Sequence, residues 1–212
     1  PTPTPTEVPE VFGPWKTISA ATVFSPAVQM RTSNKGRKEK RTVGKKLTPT
    51  IKVTATRIKL KVKQSTSGLK VTRIAKGDSV KSWKSSNSKI FTVRGKSNGT
   101  CKITGKKRGT AKLQITLASG LKKTVKVRVQ TAAVKTSKIT VSKNVTVRKG
   151  KRVTLKPVVT PFTSRQKVTY TSSNKKIATV SSKGVVTGKK KGTVKITVKS
   201  GSKSVKVTVK VK

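Results

Sequence analysis

The sequence has no histidine, one cysteine and only four acidic residues, Glu7, Glu10, Glu39 and Asp78, in 212 positions. Without histidine, no imidazole serves as general base or metal ligand. Three of the four acids precede residue 40, so the rest of the chain holds no carboxylate pair that could share a cleft for acid–base hydrolysis. Cys101 alone forms no internal disulfide and reads as a small buried or turn-filling residue. Aromatics make up 3%, and no apolar run approaches the roughly 18 residues of a membrane-spanning helix. The first residues are not a secretory leader, so the chain reads as a piece of a longer, processed protein, and no Leu-Pro-x-Thr-Gly sorting signal is visible, so retention at a surface is expected to be non-covalent.

Positive charge is what the sequence has in excess. Lysine and arginine total 53, the formal charge is +49 and the isoelectric point is near 11.9. Such a field draws in polyanions but does not specify a fold. High charge with few aromatics is also the compositional signature of disorder, and the apolar pattern argues against that reading. Beyond Leu47 the pattern has period two, as in Ile58-Lys59-Leu60-Lys61-Val62, Val125-Lys126-Val127-Arg128-Val129 and Val205-Lys206-Val207-Thr208-Val209. β-Branched residues fall on one face and Lys, Arg or Thr on the other, which is what a sheet with one buried and one wet face requires. Gly, Ser and Asn turns separate these short strands, and no 3.6-residue period competes.

The strands repeat as a set. Trp83-Lys84-Ser85-Ser86-Asn87 through Ile90-Phe91-Thr92-Val93 aligns with Tyr170-Thr171-Ser172-Ser173-Asn174 through Ile177-Ala178-Thr179-Val180. Ile103-Thr104-Gly105-Lys106-Lys107-Arg108-Gly109-Thr110 aligns with Val186-Thr187-Gly188-Lys189-Lys190-Lys191-Gly192-Thr193. The unit is roughly 80 residues, the size of a small sandwich domain. The expected organisation is all-β: a Pro/Thr-rich linker at 1–10, a short hairpin segment at 11–46 turning at Asn34 to Gly36, and tandem sandwiches at 47–130 and 131–212 stacked end to end. The hairpin alone is marginal, so Phe12, Trp15 and Phe24 are expected to lean on the next domain. Trp83 and Tyr170 are expected between the sheets with Ile90, Val93, Ile177 and Val180. Ser86-Asn87 and Ser173-Asn174 are expected to bond nearby backbone, and Gly109 and Gly192 to take positive φ or allow close approach.

The second copy, Val168-Thr169-Tyr170-Thr171-Ser172-Ser173-Asn174 through Ala178-Thr179-Val180 to Val185-Val186-Thr187-Gly188 and Gly192-Thr193, resembles bacterial immunoglobulin-like domains of group 2 over nearly the whole repeat. The first copy is similar, with an insertion between Val93 and Ile103 and Cys101 near the place of Gly184. The resemblance implies a sandwich used as a spacer or adhesive module in bacterial surface and secreted proteins, including polysaccharide-degrading enzymes, with no catalytic residues. The segment Ala21 to Lys38 resembles a short cysteine-bearing repeat of clostridial surface proteins, with Val23, Ser33 and Gly36 where that pattern carries thiolates.

No catalytic, cofactor or metal site is legible. Gly105 to Thr110 lacks phosphate-loop spacing and reads as a basic hairpin, and Asp78 as an ordinary turn residue. Solvated surfaces normally mix signs of charge, and this one does not. The candidate polyanion contacts are Lys106, Lys107, Arg108, Lys189, Lys190 and Lys191 in the matched turns, with Lys122, Lys123, Lys203 and Lys206. The expected partner is an anionic cell-wall polymer or acidic glycan outside a bacterium, with a further module of the same polypeptide before Pro1. Nucleic acid is the alternative, disfavoured by the scarcity of stacking aromatics and of any groove-reading helix. The other alternative is a passive stalk.

Overall fold

The computed structural model describes residues 8–212, so most of the expected Pro/Thr linker lies outside the described residues. Strands β1 (Lys16–Ser19), β2 (Ala27–Thr32) and β3 (Lys38–Val43) form a three-stranded sheet in the order β1-β2-β3. Thr32 pairs with Lys38 across the turn, where Gly36 adopts φ 82°. The expected hairpin therefore exists and gains a third strand. Its contact with the next unit differs from expectation. Phe24 stays 50% exposed, and Phe12 and Trp15 are covered by arginines of their own sheet. The attachment runs instead through Thr22 and Val23: Val23 N–H donates to Lys76 O at 3.1 Å, and the Thr22 side chain fills the space beside Gly77. Positions Val23, Ser33 and Gly36 are structural, with Val23 buried and Ser33 Oγ accepting Arg37 N–H at 3.0 Å.

Nine strands follow: β4 (Ile51–Val53), β5 (Arg57–Lys61), β6 (Ser65–Thr66), β7 (Val71–Ile74), β8 (Val80–Ser85), β9 (Phe91–Gly95), β10 (Cys101–Gly105), β11 (Gly109–Leu117) and β12 (Lys122–Gln130). Nine more repeat them: β13 (Lys138–Thr140), β14 (Asn144–Val147), β15 (Arg152–Thr154), β16 (Val158–Thr160), β17 (Val168–Ser172), β18 (Ala178–Val180), β19 (Val185–Gly188), β20 (Gly192–Ser200) and β21 (Lys203–Val211). The pairing repeats as well. Sheet β5-β12-β11-β8 corresponds to β14-β21-β20-β17, β6-β10-β9 to β15-β19-β18, and β4-β7 to β13-β16. In each set the second strand lies parallel to the last, β5 beside β12 and β14 beside β21. A chain that starts and finishes on parallel neighbours leaves at the end opposite to the one where it entered, so the next unit continues along the axis.

Two separate buried clusters result. The first gathers Ile58, Leu60, Phe91, Ile103, Leu113, Ile115, Val125, Val127 and Val129, with Trp83, Ile90 and Val93 packed at its margin. The second gathers Ala178, Val186, Ile196, Val198, Val207, Val209 and Val211, with Tyr170, Ile177 and Val180 at its margin. The deepest position is one residue beyond Ile90 and Ile177: Phe91 and Ala178 both have no exposure. The rings of Trp83 and Tyr170 lie against Gly95 and Gly184, and the indole N–H of Trp83 donates to Lys96 O at 3.1 Å. The turn residues act as expected, with Ser86 and Ser173 Oγ accepting Lys112 and Lys195 N–H at 2.9 and 3.1 Å. Asn87 and Asn174 Oδ1 accept Lys89 and Lys176 N–H at 3.0 and 2.9 Å. Gly109 and Gly192 take φ 156° and 150°, where an added Cβ would sit 2.8 and 3.2 Å from the Ile90 and Ile177 Cδ1 atoms.

The two sandwiches meet directly. Gln64 Nε2–H donates to Thr163 O at 2.7 Å, Thr163 Oγ–H donates to Lys59 O, and the Phe162 ring covers Gly68. The connecting segment is anchored by buried Val134 and by Thr136, whose N–H donates to Gln166 Oε1 at 2.6 Å. The described residues contain no helix long and apolar enough to cross a membrane. Removing the central ring tests the packing of the first sandwich: Phe91→Ala is expected to destabilise it by about 3–5 kcal/mol, read as a lower urea midpoint with the second sandwich's transition unchanged.

Candidate functional site

The surface is defined by what its cations lack. From Leu47 to Lys212 the only acidic side chain is Asp78, and it is buried. Its Oδ2 accepts Ser119 Oγ–H at 2.6 Å, and its Oδ1 accepts Ser119 N–H and Ser79 N–H at 3.1 and 2.9 Å. Asp78 is thus more than a turn residue, since it ties the turn after β7 to the β11–β12 hairpin 41 positions away. No carboxylate side chain remains on the solvent face of either sandwich to offset a lysine there.

The other two described acids are also taken up. Glu39 Oε2 accepts Arg31 Nε–H and Nη2–H at 2.8 and 2.7 Å, Arg37 reaches Glu39 Oε1 at 3.3 Å, and Glu10 lies 3.4 Å from Arg37. Between these ion pairs runs a column of alternating guanidinium groups and rings. Arg41 lies 4.3 Å from the Trp15 centroid, Arg31 4.7 Å from Trp15 and 4.4 Å from Phe12, and Arg37 4.9 Å from Phe12. Gln29 Oε1 holds Arg41 through two N–H donors at 3.0 and 2.8 Å. Cation–π contact of this kind contributes about 0.5–1 kcal/mol each at exposed sites. The ring faces are therefore occupied from within the sheet.

The candidate lysines and arginine do not gather into one patch. Lys106, Lys107 and Arg108 join β10 to β11, which belong to different sheets, and Lys189 to Lys191 join β19 to β20 in the same way. These turns are crossovers between the two layers and not the basic hairpins that their sequence suggested. Each docks on the turn that leads into an earlier strand, with Lys106 and Lys189 N–H donating to Ile90 and Ile177 O, just before β9 and β18, at 2.7 and 2.8 Å. Lys122 and Lys123 lie at the other end of the first sandwich, since Lys122 pairs with Thr116 while Gly109 pairs with Val129. In the second sandwich Lys203 closes the β20–β21 hairpin, while Lys206 faces Thr197 partway along the sheet. Strands of nine residues separate the two ends by about 30 Å.

Sequence reasoning missed the cleft where the sandwiches meet. It has a volume of about 460 Å³, and Lys61, Lys63, Gln64, Val134, Arg165 and Gln166 line it. Lys63 holds φ 66°, the only positive φ outside glycine among the described residues. No sequence signal marks the cleft, because its two walls come from residues some 100 positions apart.

Residues 134–211 match the family model of the bacterial Ig-like domain (group 2). No curated protein matches the chain. Among solved structures, domains 5-6 of the S-layer protein SbsC are 20% identical over 77% of this chain and 99% of that one, with a TM-score of 0.39. Domains 4 and 5 of the same protein are 21% identical over 97% of this chain and 98% of that one, with a TM-score of 0.35. A GH10 xylanase from termite gut that contains a bacterial Ig-like domain is 26% identical over 32% of this chain, with a TM-score of 0.28. The match spans 18% of that xylanase.

Two buried groups give direct tests of this geometry. Burial alone would raise the Asp78 pKa, but the Ser119 and Ser79 donors outweigh it and hold the carboxyl below its ordinary 3.8. A folded-state pKa below the unfolded one means that the stabilisation is complete above about pH 5 and is lost as pH falls through the folded value. Asp78→Asn is expected to lower stability at pH 7 by about 1–3 kcal/mol and to flatten the acid limb of the stability profile, measured by urea unfolding from pH 7 to pH 2. Cys101 is buried and its thiol is pushed up to about 11 by burial, with Sγ–H directed at Leu69 O. At pH 8 about one thiol in a thousand is ionised, so a disulfide reagent is expected to label the native chain at the rate of unfolding and the denatured chain at once.

Proposed function

We propose that this chain is a non-catalytic, extracellular part of a larger bacterial surface or secreted protein, and that its cationic surface associates with an anionic cell-wall polymer or acidic glycan. The observation that carries the reading is the solvent face of both sandwiches, where lysine and arginine have no carboxylate side chain to answer them. A surface of one sign binds through many weak contacts that release counterions, which suits an extended polymer better than a small ligand. The family match of residues 134–211 supports the extracellular placement. The strand-for-strand correspondence of β4–β12 with β13–β21 supports reading 47–130 as a further copy of the same kind of domain. On this reading another module of the same polypeptide precedes the chain, and the sandwiches hold it at a distance while tethering it to the polymer.

Nucleic acid shares the charge requirement, but single strands also rely on free aromatic faces for stacking. Phe12 and Trp15 have theirs covered by Arg31, Arg37 and Arg41, and Trp83 is packed on Gly95. Binding to purified teichoic acid should weaken steeply between 50 and 200 mM salt, by on the order of tenfold or more for several phosphate contacts. Duplex and single-stranded DNA titrated at matched salt should bind more weakly than the wall polymer. Salt-independent retention, or a clear preference for DNA, overturns the reading.

A further inference from the structure

The two sandwiches share one topology and differ in how they place cations on the outer face of the four-stranded sheet. In the first, Ile58, Leu60, Leu113, Val127 and Val129 point into the core, so Arg57, Lys59, Lys112, Lys126 and Arg128 alternate to the opposite, exposed face. Register then aligns them. Arg57 is the cross-strand partner of Lys126, Lys126 is the partner of Lys112, and Lys59 is the partner of Arg128. Neighbouring strands lie about 4.8 Å apart, so Arg57, Lys126 and Lys112 form a row of three positive charges spanning about 10 Å. No acidic residue occurs on these strands.

The second sandwich avoids this crowding. The same register places Asn144 beside Thr208 and Thr208 beside Lys195 in the corresponding row, and Thr146 beside Lys210 in the next. The five positions that hold cations in the first sheet therefore hold two in the second, Lys195 and Lys210, each with a neutral cross-strand neighbour. Like charges directly opposite on adjacent strands are destabilising, and the second sandwich shows that the fold does not require them. The row also borders a shallow depression of about 510 Å³, where Arg57, Lys112 and Lys126 are joined by the hydroxyl residues Ser86, Thr110 and Thr124.

We propose that the row Arg57–Lys126–Lys112 on the outer sheet face of the first sandwich is a binding site for a linear polyanion, which lies across the strands and places successive oxyanions over successive cations. The shared chemistry is a chain of closely spaced phosphodiester or carboxylate groups. The guanidinium of Arg57 offers a planar fork to one oxyanion, the ammonium groups of Lys126 and Lys112 meet the ones that follow, and the hydroxyls donate to oxygens between them. The bound polymer supplies the negative charge that the strands lack, so the repulsion within the row is relieved on binding. This site deepens the polyanion reading and rests on it.

The test uses the full chain and two replacements already present in the second sandwich, Arg57→Asn with Lys126→Thr. The probes are poly(glycerol phosphate) and polygalacturonate, which separate the phosphodiester source from the carboxylate one. The control, Lys175→Gln with Lys176→Gln, removes the same charge from an exposed turn. The row variant is expected to bind its preferred probe about tenfold more weakly at 150 mM salt and to lower the slope of log affinity against log salt by about 1.4, the value for two lost contacts on a single strand. The control is expected to lose less than threefold. The row variant should also melt at a higher temperature than wild type at low salt, with the gap closing as salt is added. Wild type binding neither polymer overturns the function reading and this site together. Wild type that binds, with row and control variants weakened equally or not at all, overturns this site alone, as does a row variant that melts no higher than wild type at low salt.

Discussion

Burying an unpaired lysine costs several kcal/mol, a large share of the net stability of a small domain, and here almost every lysine is unpaired. That constraint sorts the strands. In Val125-Lys126-Val127-Arg128-Val129 the valines are buried at 1% exposure or less and the two cations are exposed. Slipping β12 by one residue against its neighbours would drive Lys126 and Arg128 inward and turn three valines out. A sheet of valine and threonine alone would resist that slip weakly. The lysines therefore act as a register lock, each excluded alternative being worse by the cost of one buried charge. The same charges repel one another across the surface, so the folded state gains specificity and loses some stability at low ionic strength.

The amino-terminal sheet meets the same excess of charge differently. Only β2, with Val28 and Met30, alternates apolar residues, and β3 reads Lys38-Glu39-Lys40-Arg41-Thr42-Val43. Two rings and two glutamates are spread among three arginines, so that Arg31 stacks on Phe12 and Trp15 while its guanidinium nitrogens are held by Glu39. Guanidinium tolerates this because it is planar and weakly hydrated, which an ammonium group is not. The arginines here serve as the core that β1–β3 would otherwise lack, which explains why the exposed-looking Trp15 needs no neighbouring domain to cover it.

Much of the fold was legible because period-two alternation is a local signal with a direct physical cause. The repeat pairing Trp83 with Tyr170 and Gly109 with Gly192 carried over into matching positions, matching turns and matching φ values. What local pattern cannot carry is which strands become neighbours. Lys106 to Arg108 looked like a hairpin because a turn between two strands reads alike whether they pair or part, and β10 and β11 part to opposite layers. The role of Asp78 was hidden for the same reason, since Ser119 is distant in sequence. So was the cation row: Arg57, Lys112 and Lys126 look no different in sequence from other lysines and arginines until register sets them side by side.

The two sandwiches act as controls for each other. Where they agree, the fold demands the bond: Ser86 and Ser173 accept the same backbone N–H, and Val62 and Lys149 N–H reach Gln130 and Lys212 O at an identical 2.8 Å although the side chains differ. Where they differ, the fold is indifferent and something else has shaped the position. Lys63 keeps φ 66° at the place where Gly150 holds φ 75°, so the turn demands a left-handed backbone, which a side chain adopts at a cost of about 1 kcal/mol. A glycine meets that demand without strain, and the lysine instead points a cation toward the cleft between the sandwiches. The same logic applies to Leu117 and Ser200, both without exposure at corresponding strand ends. Leu117 completes an apolar core, whereas Ser200 joins Thr136 and Gln166 in the polar network that fastens the connecting segment. A shared scaffold thus sets the backbone, and the departures between its copies mark the junction and the surface as the places where this chain has acquired properties of its own.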